Sequence, residues 1–99
     1  MNWEQKLAAL MALKFFSFEC RMRKPGDWYC ASGGVECVER GREGSLIGRY
    51  GNGKTPQEAV LDCWEQLTSD DVKCLVIDAM SDKRREVKWN GYMWEDFLK

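Results

Sequence analysis

Residues 55 to 58 read Thr-Pro-Gln-Glu, and this short run restricts the fold more than any other stretch of the chain. Thr55 is of the hydroxyl type that caps a helix, its side-chain oxygen taking a backbone N–H of the first turn. Pro56 suits the first helical position, where its missing N–H costs nothing and its fixed φ is already helical. Glu58 stands three residues after the cap, the spacing of a capping box. Beyond it Ala59, Val60, Cys63, Trp64 and Leu67 recur at helical spacing and line one apolar face. These signals predict a helix over about 56 to 68.

The residues leading into that helix, GRYGNGKT at 48 to 55, satisfy G-x-x-x-x-G-K-[ST], the pattern of a phosphate-binding loop. The run KCLVID, ending at Asp78, has the form of the apolar strand plus aspartate that holds magnesium in such proteins. A strand before the motif (45 to 47) and a helix after it fit that reading. Pro56 opposes it. In a phosphate loop the Lys and Ser/Thr lie in the first helical turn, with their N–H groups facing the phosphates. A residue before proline is driven out of the α region, so Thr55 is spent as a cap instead. The parallel βαβ sheet that uses such a loop is not written in 99 residues rich in hairpin signals. GRYGNGKT therefore reads as a strand-to-helix joint, with Gly48, Gly51 and Gly53 allowing a tight turn. Lys54, beside a helix N-terminus, stays a candidate contact for an anion or for a partner's carboxylate.

Upstream, Asn2 can cap a first helix with Gln5 as capping-box partner. Trp3, Leu7, Leu10 and Met11 follow at helical spacing, which predicts a helix over about 3 to 14. From Phe16 the period falls to two. Phe16, Phe18, Cys20 and Met22 alternate with Ser17, Glu19, Arg21 and Arg23, giving a strand with one apolar and one polar face. Lys24-Pro25-Gly26-Asp27 is a turn. A second strand follows at 28 to 32, Gly33-Gly34 reads as a hairpin link, and strands at 35 to 40 and 45 to 50 flank the loop 41 to 44. Residues 73 to 79 form an apolar run read as a buried strand. A β-hairpin over about 86 to 95 is centred on Asn90-Gly91, a two-residue turn signal. The order predicts a single α+β domain over 1 to 99. Its antiparallel sheet of three to four strands, the later strand and the C-terminal hairpin carry the helices on one face.

Several classes of function lack their raw material. The chain has no histidine, so neither a Ser-His-Asp nor a Cys-His arrangement can be built. Its five cysteines, Cys20, Cys30, Cys37, Cys63 and Cys74, are never closer than seven residues and form no C-x-x-C, which argues against zinc. Most fall at apolar positions and read as reduced, buried residues of a cytosolic protein. The paired carboxylates Asp70/Asp71 and Glu95/Asp96 are adjacent, and adjacent strand residues point to opposite faces. No catalytic residue, cofactor or metal is expected. A net charge of −1 supplies no global field toward nucleic acid or membrane. No apolar stretch approaches a membrane span and no signal peptide is visible, so a cytoplasmic location is expected.

Three families share parts of this pattern. The order helix, three strands, helix, with the junction GNGKTPQEAVLDCWEQL, resembles the double-stranded-RNA-binding domain. That likeness implies a second helix gripping phosphates through lysines. Only Lys54 matches such a run, and Pro56, Gln57 and Glu58 occupy the other positions. TPQEA at 55 to 59 is similar to the helix start of HicB-type antitoxins, which implies a small sheet domain that neutralises a toxin by protein contact. DWYCAS, YGNGKTPQEAVLDCW and WNGYMWEDF together resemble small bacteriophage and prophage proteins. That likeness implies binding to host machinery, including anti-CRISPR or other anti-defence inhibition.

These readings converge on a non-enzymatic binding protein, an inhibitor or adaptor of a host protein complex. For a protein partner the candidate contacts are Trp89, Asn90, Tyr92 and Trp94 around the hairpin tip, because Trp and Tyr are frequent interface anchors. Strand alternation requires some of these aromatics to face the core instead. A nucleic-acid-binding domain is the alternative. Arg21, Arg23 and Arg49 could share the polar face of the sheet, with Lys83, Arg84 and Arg85 nearby, and hold a single strand by charge and stacking.

Overall fold

The computed structural model describes residues 1–13, 17–33, 35–39, 50–69, 72–77 and 84–96. Among these it is an α+β domain with helices α1 (Trp3–Ala12) and α2 (Pro56–Thr68). The strands are β1 (Ser17–Lys24), β2 (Asp27–Gly33), β3 (Val35–Glu39), β4 (Gly51–Gly53), β5 (Val72–Ile77), β6 (Arg84–Trp89) and β7 (Trp94–Asp96).

Both helix starts form as their capping residues dictate. The Asn2 side chain accepts from the Gln5 N–H at 2.9 Å, and the Gln5 side chain accepts from the Asn2 N–H at 2.9 Å. α1 ends at Ala12, two residues short of the expected end, with Leu13 as its C-cap. Thr55 is extended, at φ −132° and ψ 161°, and its hydroxyl oxygen accepts from the Glu58 N–H at 3.2 Å. The second half of the expected capping box shifts by one residue: Glu58 Oε2 accepts from Lys54 N–H, at 2.8 Å, rather than from the cap itself. α2 buries Ala59, Val60, Cys63, Trp64 and Leu67, the face read from the sequence.

The strands do not form one meander. They pair as two antiparallel sheets, ordered β1-β2-β4 and β3-β5-β6-β7. The expected hairpin across Gly33-Gly34 is not made. β3 follows β2 after a single residue yet pairs with β5, placing Val35 opposite Val76 and Cys37 opposite Cys74. A two-residue link can close a hairpin or carry a strand into a neighbouring sheet, and the choice is made by which apolar partner is available. The place beside β2 is taken by β4, with Tyr29 opposite Asn52. The stretch read as a glycine turn is thus partly a strand. The expected strand 45 to 50 and the loop 41 to 44 lie outside the described residues, apart from Tyr50, which has no regular structure.

α2 joins the two sheets. It packs against β4, β2 and β1 of the first sheet, β5 of the second, and α1. One apolar cluster results: Leu10 and Leu13 near α1, Cys30 from β2, the inner face of α2, Cys74 from β5 and Val87 from β6. β5 covers Val72–Ile77 rather than 73 to 79, and is interior to its sheet, between β3 and β6. Lys88 Nζ hydrogen-bonds the carbonyl of Ser69, the C-cap of α2. A cation at that end complements the helix dipole. No described helix is long and apolar enough to cross a membrane.

Candidate functional site

The joint at 50–55 shows what its glycines are for. Gly51 and Gly53 face α2 at a separation that admits no side chain. A Cβ on Gly51 would lie 2.0 Å from the Ala59 carbonyl oxygen, and one on Gly53 would lie 2.6 Å from the Ala59 nitrogen. They serve close approach of strand to helix, not the tight turn expected. The backbone donors that a phosphate loop would aim at its ligand hold carboxylates of α2 instead. Asn52 N–H donates to Asp62 Oδ2 at 2.8 Å and Lys54 N–H donates to Glu58 Oε2 at 2.8 Å. The Asn52 contact also closes the outer edge of β4, a place where unpaired N–H groups invite further strands. Lys54 is exposed beside an open recess shared with Asp27, Asn52 and Glu58. Two carboxylates there make it a poor seat for an anion.

The outer face of the first sheet carries Glu19, Arg21, Arg23, Tyr29 and Asn52. The Arg23 guanidinium stacks 4.9 Å from the Tyr29 ring centroid and donates to Asn52 Oδ1. Arg21 pairs with Glu19 at 3.1 Å, and the Tyr29 hydroxyl donates to the same carboxylate at 3.1 Å. That hydrogen bond to Glu19, with desolvation and the carboxylate's charge behind it, raises the Tyr29 phenol above its ordinary value. Arg84 and Arg85 do not join this face. They lie on β6 in the second sheet, opposite Ile77 and Val76. Arg49 and Lys83 lie outside the described residues.

At the C-terminal hairpin the structure separates the aromatics named from the sequence. Trp89 and Trp94 form a cross-strand pair and both turn inward onto Trp64. The three rings meet edge to face, with centroids 4.8 Å (Trp64–Trp89), 5.9 Å (Trp64–Trp94) and 5.2 Å (Trp89–Trp94) apart. This geometry sets positive ring edges against negative faces. The Trp94 indole N–H donates to the Ala9 carbonyl at 2.9 Å, fastening the hairpin to α1. Trp89 and Trp94 are therefore half-buried and packed against the core.

The turn between them is not the expected two-residue Asn-Gly turn. With Trp89 opposite Trp94, the loop is residues 90–93. Asn90 organises it: its Oδ1 accepts from Tyr92 N–H at 2.8 Å and Met93 N–H at 2.9 Å, and its Nδ2 donates to Glu95 at 2.8 Å. Asn90 N–H also donates to the Met93 carbonyl at 3.0 Å. Gly91 supplies the left-handed position, at φ +102°. The loop is closed as an Asx turn, the Asn90 side chain holding the two backbone donors of Tyr92 and Met93. Tyr92 and Met93 are left projecting, 90% and 60% exposed. Sequence reasoning missed Met93, since a two-residue turn would have put it within a strand. It also missed Tyr29 and Asn52, whose neighbours depend on strand register. Among the described residues no three His, Cys, Asp or Glu side chains are grouped to hold a metal ion.

No family model matches this chain, and neither a curated protein nor a solved structure does.

Proposed function

We propose that this chain is a non-enzymatic binding protein that docks on a host protein, as inhibitor or adaptor, through the hairpin loop at residues 90–93. The observation that carries the reading is the pairing of a projecting apolar tip with a braced base. Tyr92 and Met93 stand out at 90% and 60% exposure. The Asn90 hydrogen bonds hold their backbone, and the Trp64–Trp89–Trp94 contact anchors the strands beneath. A loop held in shape before binding loses less freedom on association. Tyrosine is a frequent interface anchor, and methionine adapts to irregular pockets. The resemblance to small bacteriophage products directs the search to bacterial host proteins, defence complexes among them.

The test is an affinity capture from bacterial lysate with mass spectrometry, followed by titration of the recovered partner. Tyr92→Ala with Met93→Ala is expected to weaken binding by about tenfold or more, the loss of one or two anchor residues. A double variant that binds as tightly as the parent overturns the site. Recovery of no specific partner, together with nucleotide turnover, overturns the function.

A second reading, single-stranded nucleic acid on the outer face of the first sheet, is supported by the Arg23–Tyr29 stack. It ranks second because Arg21 and Arg23 already hold Glu19 and Asn52. Arg21→Glu with Arg23→Glu separates the two: it should remove low-salt nucleic-acid binding and leave the hairpin interface near parental affinity.

A further inference from the structure

Cys20 and Cys30 stand directly opposite one another on β1 and β2. Their sulfurs are 2.8 Å apart, with the Cys30 thiol donating toward Cys20. We infer that this pair is a reversible disulfide site that joins β1 to β2. Opposed residues of an antiparallel pair have Cα atoms roughly 4.5 to 5.5 Å apart. That falls inside the range of about 4.4 to 6.8 Å that a disulfide spans. The backbone therefore need not move for the bond to form.

Access differs between the two thiols and sets the order of events. Cys20 is half-buried, whereas Cys30 has 0% exposure. Burial, and then the contact with Cys20, pushes the Cys30 thiol well above its ordinary value, so it stays protonated and is not the first nucleophile. The oxidant is a low-molecular-weight disulfide. Cys20, as thiolate, attacks one of its sulfurs, forms a mixed disulfide and expels one small thiolate. Cys30 then attacks Cys20 Sγ. The Cys20–Cys30 bond forms, the second small thiolate leaves, and the Cys30 proton goes with it. Two protein thiols are oxidised and one small disulfide is reduced to two thiols.

The other thiols are placed differently. Cys63 on α2 adds to the environment of Cys30, and Cys74 is buried with its thiol donating to the Leu67 carbonyl at 3.4 Å. Cys37 is opposite Cys74 in register. These alternatives make the experiment discriminating.

The reduced full-length protein is held in glutathione buffers of graded redox ratio, then trapped with an alkylating agent and mapped by mass spectrometry. The expected result is a fall from five alkylatable thiols to three. The intact mass drops by about 2 Da, and dithiothreitol reverses the change. The parent protein is mapped first, its partner peptide telling Cys20 from Cys74. Because Cys30 and Cys37 share a tryptic peptide, Cys37→Ser is then mapped as well and should still form the bond. Cys20→Ser, at the half-buried position, should not form it, with its fold checked by circular dichroism. A link from Cys30 to Cys63, a Cys37–Cys74 link in its place, or a glutathione adduct on Cys20 that never resolves would each overturn the assignment.

Discussion

Gly51→Ala is expected to lower stability by about 3 kcal/mol, the upper part of the range for overpacking a core. The added Cβ would meet the Ala59 oxygen at 2.0 Å, the Cys63 nitrogen at 2.4 Å and Cys63 Cβ at 2.5 Å. Two of these are backbone atoms of α2, held by helical hydrogen bonds, and cannot swing aside as a side chain would. The helix must lift off β4 and with it off the shared core. Domains of this size carry only about 5 to 15 kcal/mol in total, so a large share of the stability is at stake. Urea denaturation reads it as a drop in midpoint of roughly 1.5 M, for a slope of about 2 kcal/mol per molar. Gly26→Ala is the control. Gly26 has φ +78° but nothing within 4 Å of an added Cβ. Its cost is left-handed backbone strain alone, about 1 to 2 kcal/mol. An equal loss at both positions would show that close approach is not what Gly51 provides.

The second large effect is expected at Trp64. Trp64→Ala should cost about 4 kcal/mol, in the range for emptying a buried tryptophan site. The side chain is 7% exposed and meets both hairpin tryptophans edge-on. Its removal opens a cavity where α2, β6 and β7 come together, and the hairpin loses the surface it rests on. Near-ultraviolet circular dichroism should weaken along with the denaturation midpoint, because the coupled indole rings lose their fixed geometry. Tyr92→Ala provides the contrast. At 90% exposure its replacement should change stability by less than about 0.5 kcal/mol. Stability loss at Trp64 with binding loss at Tyr92 and Met93 would separate the support from the contact surface. A binding loss at Tyr92 that tracked lost stability would merge them.

The aromatics of the hairpin show how far a residue pattern reaches. Period two told correctly that some of Trp89, Tyr92 and Trp94 face inward. It did not tell which, because that depends on where the turn begins and ends. Asn90 sets the turn by bonding Tyr92 and Met93 N–H, and this moves Tyr92 out of the strand and Trp94 into register with Trp89. The arginines follow the same logic. Arg21 and Arg23 share the polar face that alternation implies, but their actual partners, Glu19, Tyr29 and Asn52, come from the same strand, the next strand and β4. Arg84 and Arg85 fall in the other sheet because β6 pairs with β5.

What the amino acids settled without help from the fold are the features whose physics spans four residues or fewer. Asn2 with Gln5 and Thr55 with Glu58 start the helices, Pro56 keeps Thr55 extended, and the apolar spacing names the buried face of α2. The same proline, by holding Thr55 out of the helix, disfavours a phosphate loop. Strand pairing belongs to the tertiary structure. β3 leaves β2 for β5, about forty residues along the chain, where cross-strand contacts reward the pairing. The glycines of GRYGNGKT make the same point at atomic scale. The motif says that side chains are absent at 51 and 53, and only the packed helix says why: its backbone occupies the space where a Cβ would sit.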